Sequence, residues 1–438
     1  MDQTEALIIE TIDRHREEII EFARDIYSHA ELGYKEFQTS GKFVKKMEQL
    51  GLRTEKGFAI IGVKAYLNED KKENASLALL GELDALRIPE HAFANPETNA
   101  AHCCGHHAQM AGVFGAALAL TVPEIAEKLD GQVVFFATPA EEYGEIEFKN
   151  QLREQGKIRY GGGKCELLRI GAFDDIDLCL THHIRPGNEI LVGSGTGNGF
   201  VSKVIRVLGK ASHAAGAPEK GVNALSAASL GLQALGLNRE TFRDEDCVRV
   251  HPIITKGGNL VNVIPDEVVV ETLVRGKTIE AFTDAAKKTD RSFKAGAIAM
   301  GAKVEISTLP GYLPTLAEEA LPELKHAAEI SASDIPVIEA SGHAGGSTDV
   351  GDVQHLMTVY TFNTGGVKGG LHQIDFEVTD EEEAYIVTAK MFALAAYGLL
   401  KEKAQRSREL VDQYEPVFKN SAEYVEFMEQ FDSKEIFE

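Results

Sequence analysis

The sequence predicts an α/β protein: a mostly parallel sheet with helices on both faces, plus an inserted ferredoxin-like α+β domain. Three observations predict this fold. Short apolar runs alternate with helical patterns before residue 193. A glycine-rich joint, GSGTGNG, follows at 193–199. Residues 199–308 then show the βαββαβ order of a ferredoxin-like unit. We therefore expect a discontinuous main domain, 1–198 and 309–438, interrupted by a second domain at 199–308.

The main domain is expected to begin with helix, because residues 2–50 carry apolar side chains at helical spacing. The runs at 76–86 (SLALLGELDAL) and 132–142 (QVVFFATPAEE) are predicted as buried strands that end in acidic residues. A helix of small residues is predicted between them, at 108–120. Late in the chain, TVYTFNT at 358–364 is a predicted strand and 380–402 a predicted helix. Ligands collect at the carboxyl ends of parallel strands, where Asp84, Glu141 and Glu142 are expected.

The inserted domain is predicted from the same kinds of pattern. The expected elements, in order, are a strand at 201–208, a helix at 219–237, strands at 249–254 and 267–275, a helix at 279–300 and a strand at 303–308.

Composition excludes several classes of protein. The 438 residues include 45 Lys plus Arg against 68 Asp plus Glu, and the net charge of −23 argues against a nucleic-acid partner. The N-terminal stretch is charged and amphipathic, with no apolar run typical of a signal peptide or membrane span, so we expect a cytoplasmic protein without a membrane partner. Five scattered cysteines are not a secreted disulfide framework, and we interpret them as reduced.

The segment AHCCGHHAQ at 101–109 is unusually rich in metal-ligand residues. Cys104 and His106 are separated by one residue in a glycine-containing loop that opens the predicted helix, so both side chains can converge on one cation. Thiolate and imidazole suit a borderline-soft divalent ion, zinc first. A structural turn with a buried cysteine and a hydrogen-bonded histidine is at least as common as such a pair. The interpretation therefore requires further ligands.

Those further ligands follow other predicted strands. Glu141 and Glu142 in PAEE are neighbours at a strand end and point in opposite directions, so one can bind metal while the other faces a water activated by it. Paired glutamates often only belong to a solvent-exposed face. These two follow five apolar residues, which argues against that interpretation. His183 in THHIRPG comes after another apolar strand, and His372 in GGLHQIDF follows glycines. The conjunction favours a metal site.

At this point the sequence resembles a known family. The ordered set ELDAL, HCCGHHAQ, PAEE, HHIRPG, GKASHAAGAP, GGNLVNVIPDE, GSTDVGDV and GGLHQIDF is similar to the M20 metallopeptidases, above all their amidohydrolase branch of aminoacylase-like, auxin-conjugate and aminobenzoyl-glutamate hydrolases. The resemblance implies a zinc-exopeptidase-like catalytic domain, a lid formed by the insertion, and two divalent ions, zinc first, with manganese, cobalt or nickel as alternatives. The ligands that it implies are Cys104, His106, Glu142, His183 and His372.

The resemblance also implies roles for residues that bind no metal. Glu141 would act as general base and then general acid, while Asp84 would orient groups near the ions. His213 would polarise the substrate carbonyl, in dimeric members from the neighbouring subunit, which implies a homodimer formed through the lid. Asn262 and Arg275 would hold the substrate's carboxylate. A lone loop histidine is more often a surface residue, and Arg275 could be an exposed strand-end arginine.

The chain departs from the family pattern near the catalytic segments. His107 stands where most relatives have aspartate, and Cys103 where they have a small residue; His107 could be an extra ligand or a hydrogen-bonding neighbour of the ligands. Arg87 occupies a place often held by proline, and the loop from Tyr143 to Cys165, which follows the proposed base, is longer than in relatives. We expect His107, Arg87 and this stretch to shape substrate binding.

The resemblance implies a metal-dependent hydrolase that uses an activated water, with Glu141 as base. Its substrate would be the amide bond of an N-acyl or aminobenzoyl amino acid, or of a short peptide, with a free carboxylate. Two alternatives remain: hydrolysis of another C–N bond, such as an aryl amine or amidine, on the same site, or a non-catalytic binding protein that retains the fold. The intact Glu141 beside a full ligand set argues against the last alternative.

Overall fold

The computed structural model describes residues 1–438, which form two compact units. Unit 1 comprises Met1–Gly195, Leu316–Gly342 and Asp352–Ser421, and unit 2 comprises Thr196–Thr315, His343–Gly351 and Ala422–Glu438. The sequence placed the corresponding boundaries at 198/199 and 308/309 and did not assign the two later segments to the second domain. The catalytic and lid roles of these units stay predictions.

The α-helices in chain order are α1 (Gln3–Arg14), α2 (Arg16–Ser28), α3 (Phe37–Gln49), α4 (His106–Leu120), α5 (Pro123–Ala126), α6 (Ile146–Glu154), α7 (Gly163–Arg169), α8 (Ala224–Leu237), α9 (Ile279–Met300), α10 (Pro322–Ser331), α11 (Val350–Gln354), α12 (Thr388–Gln413) and α13 (Ser421–Glu429). The strands are β1 (Arg53–Phe58), β2 (Gly62–Leu67), β3 (Ser76–Glu82), β4 (Leu86–Arg87), β5 (Ala100–Ala101), β6 (Gln132–Thr138), β7 (Leu178–Ile184), β8 (Ile190–Val192), β9 (Thr196–Gly197), β10 (Gly199–Leu208), β11 (Arg249–Val250), β12 (Ile253–Lys256), β13 (Glu267–Gly276), β14 (Lys303–Tyr312), β15 (Val337–Glu339), β16 (His343–Ala344), β17 (Thr358–Thr364), β18 (Val367–Lys368), β19 (Glu377–Val378) and β20 (Ser433–Phe437).

Unit 1 is built on an eight-stranded sheet in the order β1-β2-β6-β3-β7-β17-β8-β15. The four central strands, β6, β3, β7 and β17, run parallel and are mostly buried, as the apolar runs of β3 and β6 predict. Their carboxyl ends therefore lie at one edge of the sheet. The α/β class predicted from the sequence is confirmed.

Helix α4 consists largely of small residues because it lies deep in the unit 1 core. All of its residues are buried, and it packs against α12. A Cβ added at Gly115 would lie 2.5 Å from the Cβ of Ala389, so the two helices approach too closely for a larger side chain. This packing fixes the first turn of α4, which begins with His106.

Unit 2 contains an antiparallel sheet in the order β11-β13-β10-β14-β20, with β12 also paired to β13. Helices α8 and α9 pack against one another and against this sheet around their own apolar cluster. The order β10, α8, β11 with β12, β13, α9, β14 is the predicted βαββαβ pattern. Strand β20, from the C-terminal segment, was not predicted and adds one strand beyond β14.

Three local predictions differ from the structure. Residues 2–50 form three helices, because the chain turns after Arg14 and again after Ser28. The stretch between Tyr143 and Cys165, interpreted as a loop, contains helix α6. The helix expected at 380–402 is preceded by a π-helical turn at Glu382–Val387 and has non-helical backbone at Lys401.

One segment, Glu382–Gln413, is long and apolar enough to cross a membrane by length and composition. Within the protein, 89% of its most apolar window is buried, as is typical of a core helix.

Candidate metal centre

The side chain of Cys104 lies at the centre of a cluster of potential metal ligands. Its Sγ is 3.2 Å from Nε2 of His183 and 3.3 Å from Nε2 of His372. Two groups have ligand atoms within 4.8 Å of one another: Cys104 with His106 and His183, and Cys104 with Glu142 and His372. Because both groups contain Cys104, its thiolate can bridge two cations. All five ligands implied by the family resemblance are thus brought together.

A tight turn places Cys104 against the end of β7. Gly105 has a φ of +93°, and a Cβ there would lie 2.0 Å from Cγ2 of Ile184, so only glycine fits. His183 occupies the end of β7 and faces the cluster. Its neighbour His182 points to the other face of the sheet, where its Nε2 lies 2.8 Å from Oγ1 of Thr364.

Asp84 holds both the glutamate pair and His106. Its Oδ1 and Oδ2 accept hydrogen bonds from the backbone N–H groups of Glu141 (3.1 Å) and Glu142 (3.0 Å). Nδ1 of His106 lies 2.8 Å from the carbonyl oxygen of Asp84 and 3.2 Å from its Oδ1. These contacts leave Nε2 of His106 as the ligand atom. Burial would raise the pKa of Asp84, but the contact with His106 lowers it, so the carboxylate stays ionised.

The buried polar atoms that lack a hydrogen bond of good geometry include Nε2 of His106 and Oε1 of Glu142. Each has only an ion-pair neighbour at 3.1 Å, Glu82 and His372 respectively. Such atoms are costly unless something satisfies them, and both belong to the candidate ligand groups. Thiolate, imidazole and carboxylate together suit divalent ions such as zinc. Burial raises the pKa of the Cys104 thiol well above its ordinary value, and a bound cation is what would deprotonate it. The residues therefore fit a two-cation site.

Glu141 lies beside the ligands. Its Oε2 is 4.0 Å from Nε2 of His106, and its side chain is only 10% exposed. Its loop is held on the other side by the buried Glu36, whose Oε1 accepts the N–H of Ala140 at 2.8 Å. Burial, followed by the charge of Asp84, raises the pKa of Glu36 well above its ordinary value. A carboxylate fixed in this way can take a proton from a water next to the cations.

The two residues expected to shape substrate binding in unit 1 have different surroundings. His107 is fully buried among the rings of Tyr27, His102 and Tyr385, and burial lowers its pKa to about 3. In this structure the His107 ring has no atom exposed to a substrate. A contact between His107 and the substrate therefore stays a prediction. Arg87 is exposed at the end of β4, next to the segment that carries the ligands.

The other three predicted site residues belong to unit 2. His213 forms an isolated bridge with Val263, and the carbonyl of Asn262 accepts the N–H of Ala214 at 3.0 Å, so the two loops lie together. Nδ1 of His213 accepts the N–H of Gly216 at 2.9 Å. Arg275, half-buried near the end of β13, lies over the Phe200 ring with 5.6 Å between its Cζ and the ring centroid.

Two buried residues beside the cluster were missed by the sequence analysis. Glu82 lies two residues before Asp84, and Oε2 of Glu82 is 3.1 Å from Nε2 of His106. Lys164 is fully buried and donates to Oε1 of Glu82 at 2.5 Å. Burial would raise the pKa of Glu82, but Lys164 and then His106 lower it to about 2. The spacing of two residues between Glu82 and Asp84 could have indicated that Glu82 belongs to the site. The sequence RYGGGK around Lys164 contains no signal that this lysine is buried there.

Comparison with known proteins adds independent information. The model of a family described as peptidase family M20/M25/M40 matches residues 78–397. The Xaa-Arg dipeptidase of Mus musculus is 29% identical over 306 residues, which cover 68% of this chain and 64% of that protein. The N-acetyl-L-cysteine deacetylase of Bacillus subtilis (strain 168) is 24% identical over 403 residues, covering 89% of this chain and 90% of that protein.

Solved structures show the same fold. A dinuclear metal binding peptidase of the M20 family from Bacillus subtilis aligns with a TM-score of 0.61 and 23% identity, over 89% of this chain and 99% of its own. By contrast, this chain spans less than two thirds of the length of the mouse Xaa-Arg dipeptidase.

Proposed function

Because the chain belongs to peptidase family M20/M25/M40, we propose that it is a metal-dependent hydrolase of amide bonds. The observation that carries the proposal is the pair of ligand groups that share Cys104 beside Glu141. Two divalent ions fit these groups, with zinc as the first candidate and manganese, cobalt or nickel as alternatives. When bound, the ions would polarise the scissile carbonyl and acidify a water.

The chain's own residues then perform the proton transfers. A carboxylate oxygen of Glu141 takes a proton from the attacking water and later returns it to the nitrogen of the leaving amine. Asp84 keeps Glu141 in place through the backbone N–H group, while Glu142, the next residue, serves as a ligand. The adjacent glutamates thus have separate roles because their side chains point to different places.

The proposed substrate is an N-acyl or aminobenzoyl amino acid, or a short peptide, with a free carboxylate. This rests on the matching residues Asn262 and Arg275 and on the similarity to a dipeptidase and an N-acetyl-L-cysteine deacetylase. Arginine binds a carboxylate through two parallel hydrogen bonds. The proposed substrate-binding set also includes Arg87, which is exposed, and His107, although its ring is fully buried in this structure. A cytoplasmic location stays a prediction.

A substrate panel tests this function. Protein reconstituted with zinc or manganese is incubated with N-acetyl amino acids, aminobenzoyl-glutamate and dipeptides, and amine release is measured. We expect turnover that chelation abolishes, and at least about tenfold lower kcat/KM on the carboxamide analogue, a loss of ~1.4 kcal/mol. Glu141→Gln is the matched control. Turnover that survives both chelation and Glu141→Gln would contradict the mechanism, and no turnover on any amide would contradict the substrate class.

We further propose a homodimer formed through unit 2, in which His213 stabilises the developing oxyanion in the site of the other copy. The support is an edge strand, β12, whose residues are all exposed, and the exposed apolar side chains of Ile253, Leu260 and Val261. Unpaired edges with apolar side chains favour association.

Mixing two inactive variants tests this arrangement. Glu141→Gln and His213→Ala chains should each lose turnover and keep their metal, since neither residue is a ligand. After subunit exchange, a heterodimer has one site with both groups intact, so activity should return. Failure to recover activity after verified exchange would place His213 in its own chain's site, and a monomer in solution would contradict the dimer.

A further inference from the structure

We propose that Glu82 supplies a carboxylate oxygen to the cation bound at Nε2 of His106, as a ligand outside the set predicted from the sequence. The proposal rests on the metal-dependent function proposed above and concerns the same site.

The first argument is the distance between two ligand atoms. Oε2 of Glu82 lies 3.1 Å from Nε2 of His106, yet that nitrogen makes no hydrogen bond of acceptable geometry. Two ligand atoms about 2.1 Å from one cation are roughly 3.0–3.4 Å apart at angles of 90–110°. Glu82, His106 and Glu141 also form a third buried group whose ligand atoms lie within 4.8 Å of one another. The separation therefore fits two atoms that share a cation.

The second argument is the way the carboxylate is held. Lys164 donates to Oε1 at 2.5 Å, and Nε2 of Gln109 donates to Oε2 at 2.8 Å. The backbone N–H of Glu82 in turn donates to Oε1 of Gln109 at 2.9 Å. Ligating carboxylates are commonly fixed by such outer hydrogen bonds. A carboxylate oxygen has more than one lone pair, so Oε2 can accept from Gln109 and still bind a cation.

A purely structural ion pair would account for only part of this arrangement. It explains why Lys164 and Glu82 are buried together, since each charge needs a partner inside the protein. It also allows an ion pair between the second oxygen and His106, but the two atoms lack hydrogen-bond geometry, as is expected of two atoms that face one cation. A cation shared with His106 explains the position of Oε2, while the ion pair with Lys164 holds Oε1. Glu82 also adds a hard oxygen ligand beside the imidazole of His106, which favours harder ions such as Mn²⁺.

The test compares Mn²⁺ with Zn²⁺ binding to the full-length chain. Glu82→Gln keeps the shape and removes the charge. The matched control is Glu36→Gln, another fully buried glutamate that accepts a backbone N–H but belongs to none of the ligand groups. Free Mn²⁺ is measured by electron paramagnetic resonance, and Zn²⁺ by competition with a chelator. We expect Glu82→Gln to raise the ratio of the Mn²⁺ to the Zn²⁺ dissociation constant at least about tenfold, and Glu36→Gln to leave it unchanged.

An unchanged ratio in Glu82→Gln would overturn the proposal, because a residue that only supports the fold should weaken both ions alike. If Glu82→Gln does not fold, as judged by circular dichroism, Glu82→Asp retains a carboxylate that is one methylene shorter. The same selective loss of Mn²⁺, smaller in size, is expected there, and an unchanged ratio again overturns the proposal. Wild-type protein that binds no divalent ion would instead contradict the proposed function.

Discussion

Replacing Asp84 by asparagine would test how the site is assembled. One oxygen of Asp84 accepts the N–H of Glu141 and the other accepts the N–H of Glu142, at 3.1 Å and 3.0 Å. An asparagine has one acceptor oxygen and one NH₂ group, so one backbone N–H would face another donor. The fully buried position leaves no room for bulk solvent to replace the lost acceptor.

The expected cost follows from the lost hydrogen bond. A hydrogen bond to a charged group contributes about 1.5–3 kcal/mol. If the whole loss appears at the transition state, kcat/KM falls roughly 10- to 150-fold, since ~1.4 kcal/mol is a factor of ten. The base itself remains in Asp84→Asn. The loss should therefore be no larger than the about 10²- to 10⁴-fold expected for removal of a general base in Glu141→Gln.

The assay measures kcat/KM on the best panel substrate, together with the metal content of the same sample. Asp177→Asn is the matched control: Oδ2 of Asp177 accepts the N–H of Ser76 at 2.7 Å, at the opposite end of β3 from the site. It should cost stability but leave kcat/KM unchanged. A wild-type kcat/KM in metal-loaded Asp84→Asn would refute the idea that this carboxylate positions the catalytic loop.

Three further predictions follow from the same structure. Glu141→Gln should keep the metal and lose turnover about 10²- to 10⁴-fold, whereas Glu142→Gln should lose metal as well; equal metal loss in both would contradict their separate roles. Elemental analysis should find about two divalent ions per chain, because two ligand groups share one thiolate. Cys104→Ala should lose them, while Cys103→Ala, in the core and outside both groups, should not. Deleting 433–437 should lower the free energy of unfolding of unit 2 by about 1–3 kcal/mol, from the lost burial of Phe437, as measured by denaturant titration; unchanged stability would show that β20 contributes nothing.

The elements that the sequence predicted well are those with strong local patterns. Helix α9 was predicted with its observed bounds, because its apolar spacing is regular and glycine follows at 301. The buried strands β3 and β6 were found from their apolar runs. Parallel pairing of such strands also explains why acidic residues far apart in sequence were expected at one edge.

The elements that were missed depend on distant partners. Strand β20, SKEIF, is short and mostly exposed, and only its pairing with β14 makes it a strand. Lys164 follows three glycines, and its burial results from its contact with Glu82, which no local pattern reveals. Whether such a lysine is a surface residue or part of a buried network is decided by tertiary structure alone.

The late position of β20 affects how unit 2 is made in the cell. About 120 residues separate Tyr312, at the end of β14, from Ser433, so at ~5–20 residues per second the ribosome needs roughly 6–24 s to deliver β20. Throughout that interval β14 presents an open sheet edge on the nascent chain, in a protein whose β12 edge is also uncovered. Newly made chains on one messenger are then close enough to pair wrongly through the open β14 edge. Slow translation of the segment between β14 and β20 would lengthen this period, so codon usage there should influence the yield of folded protein.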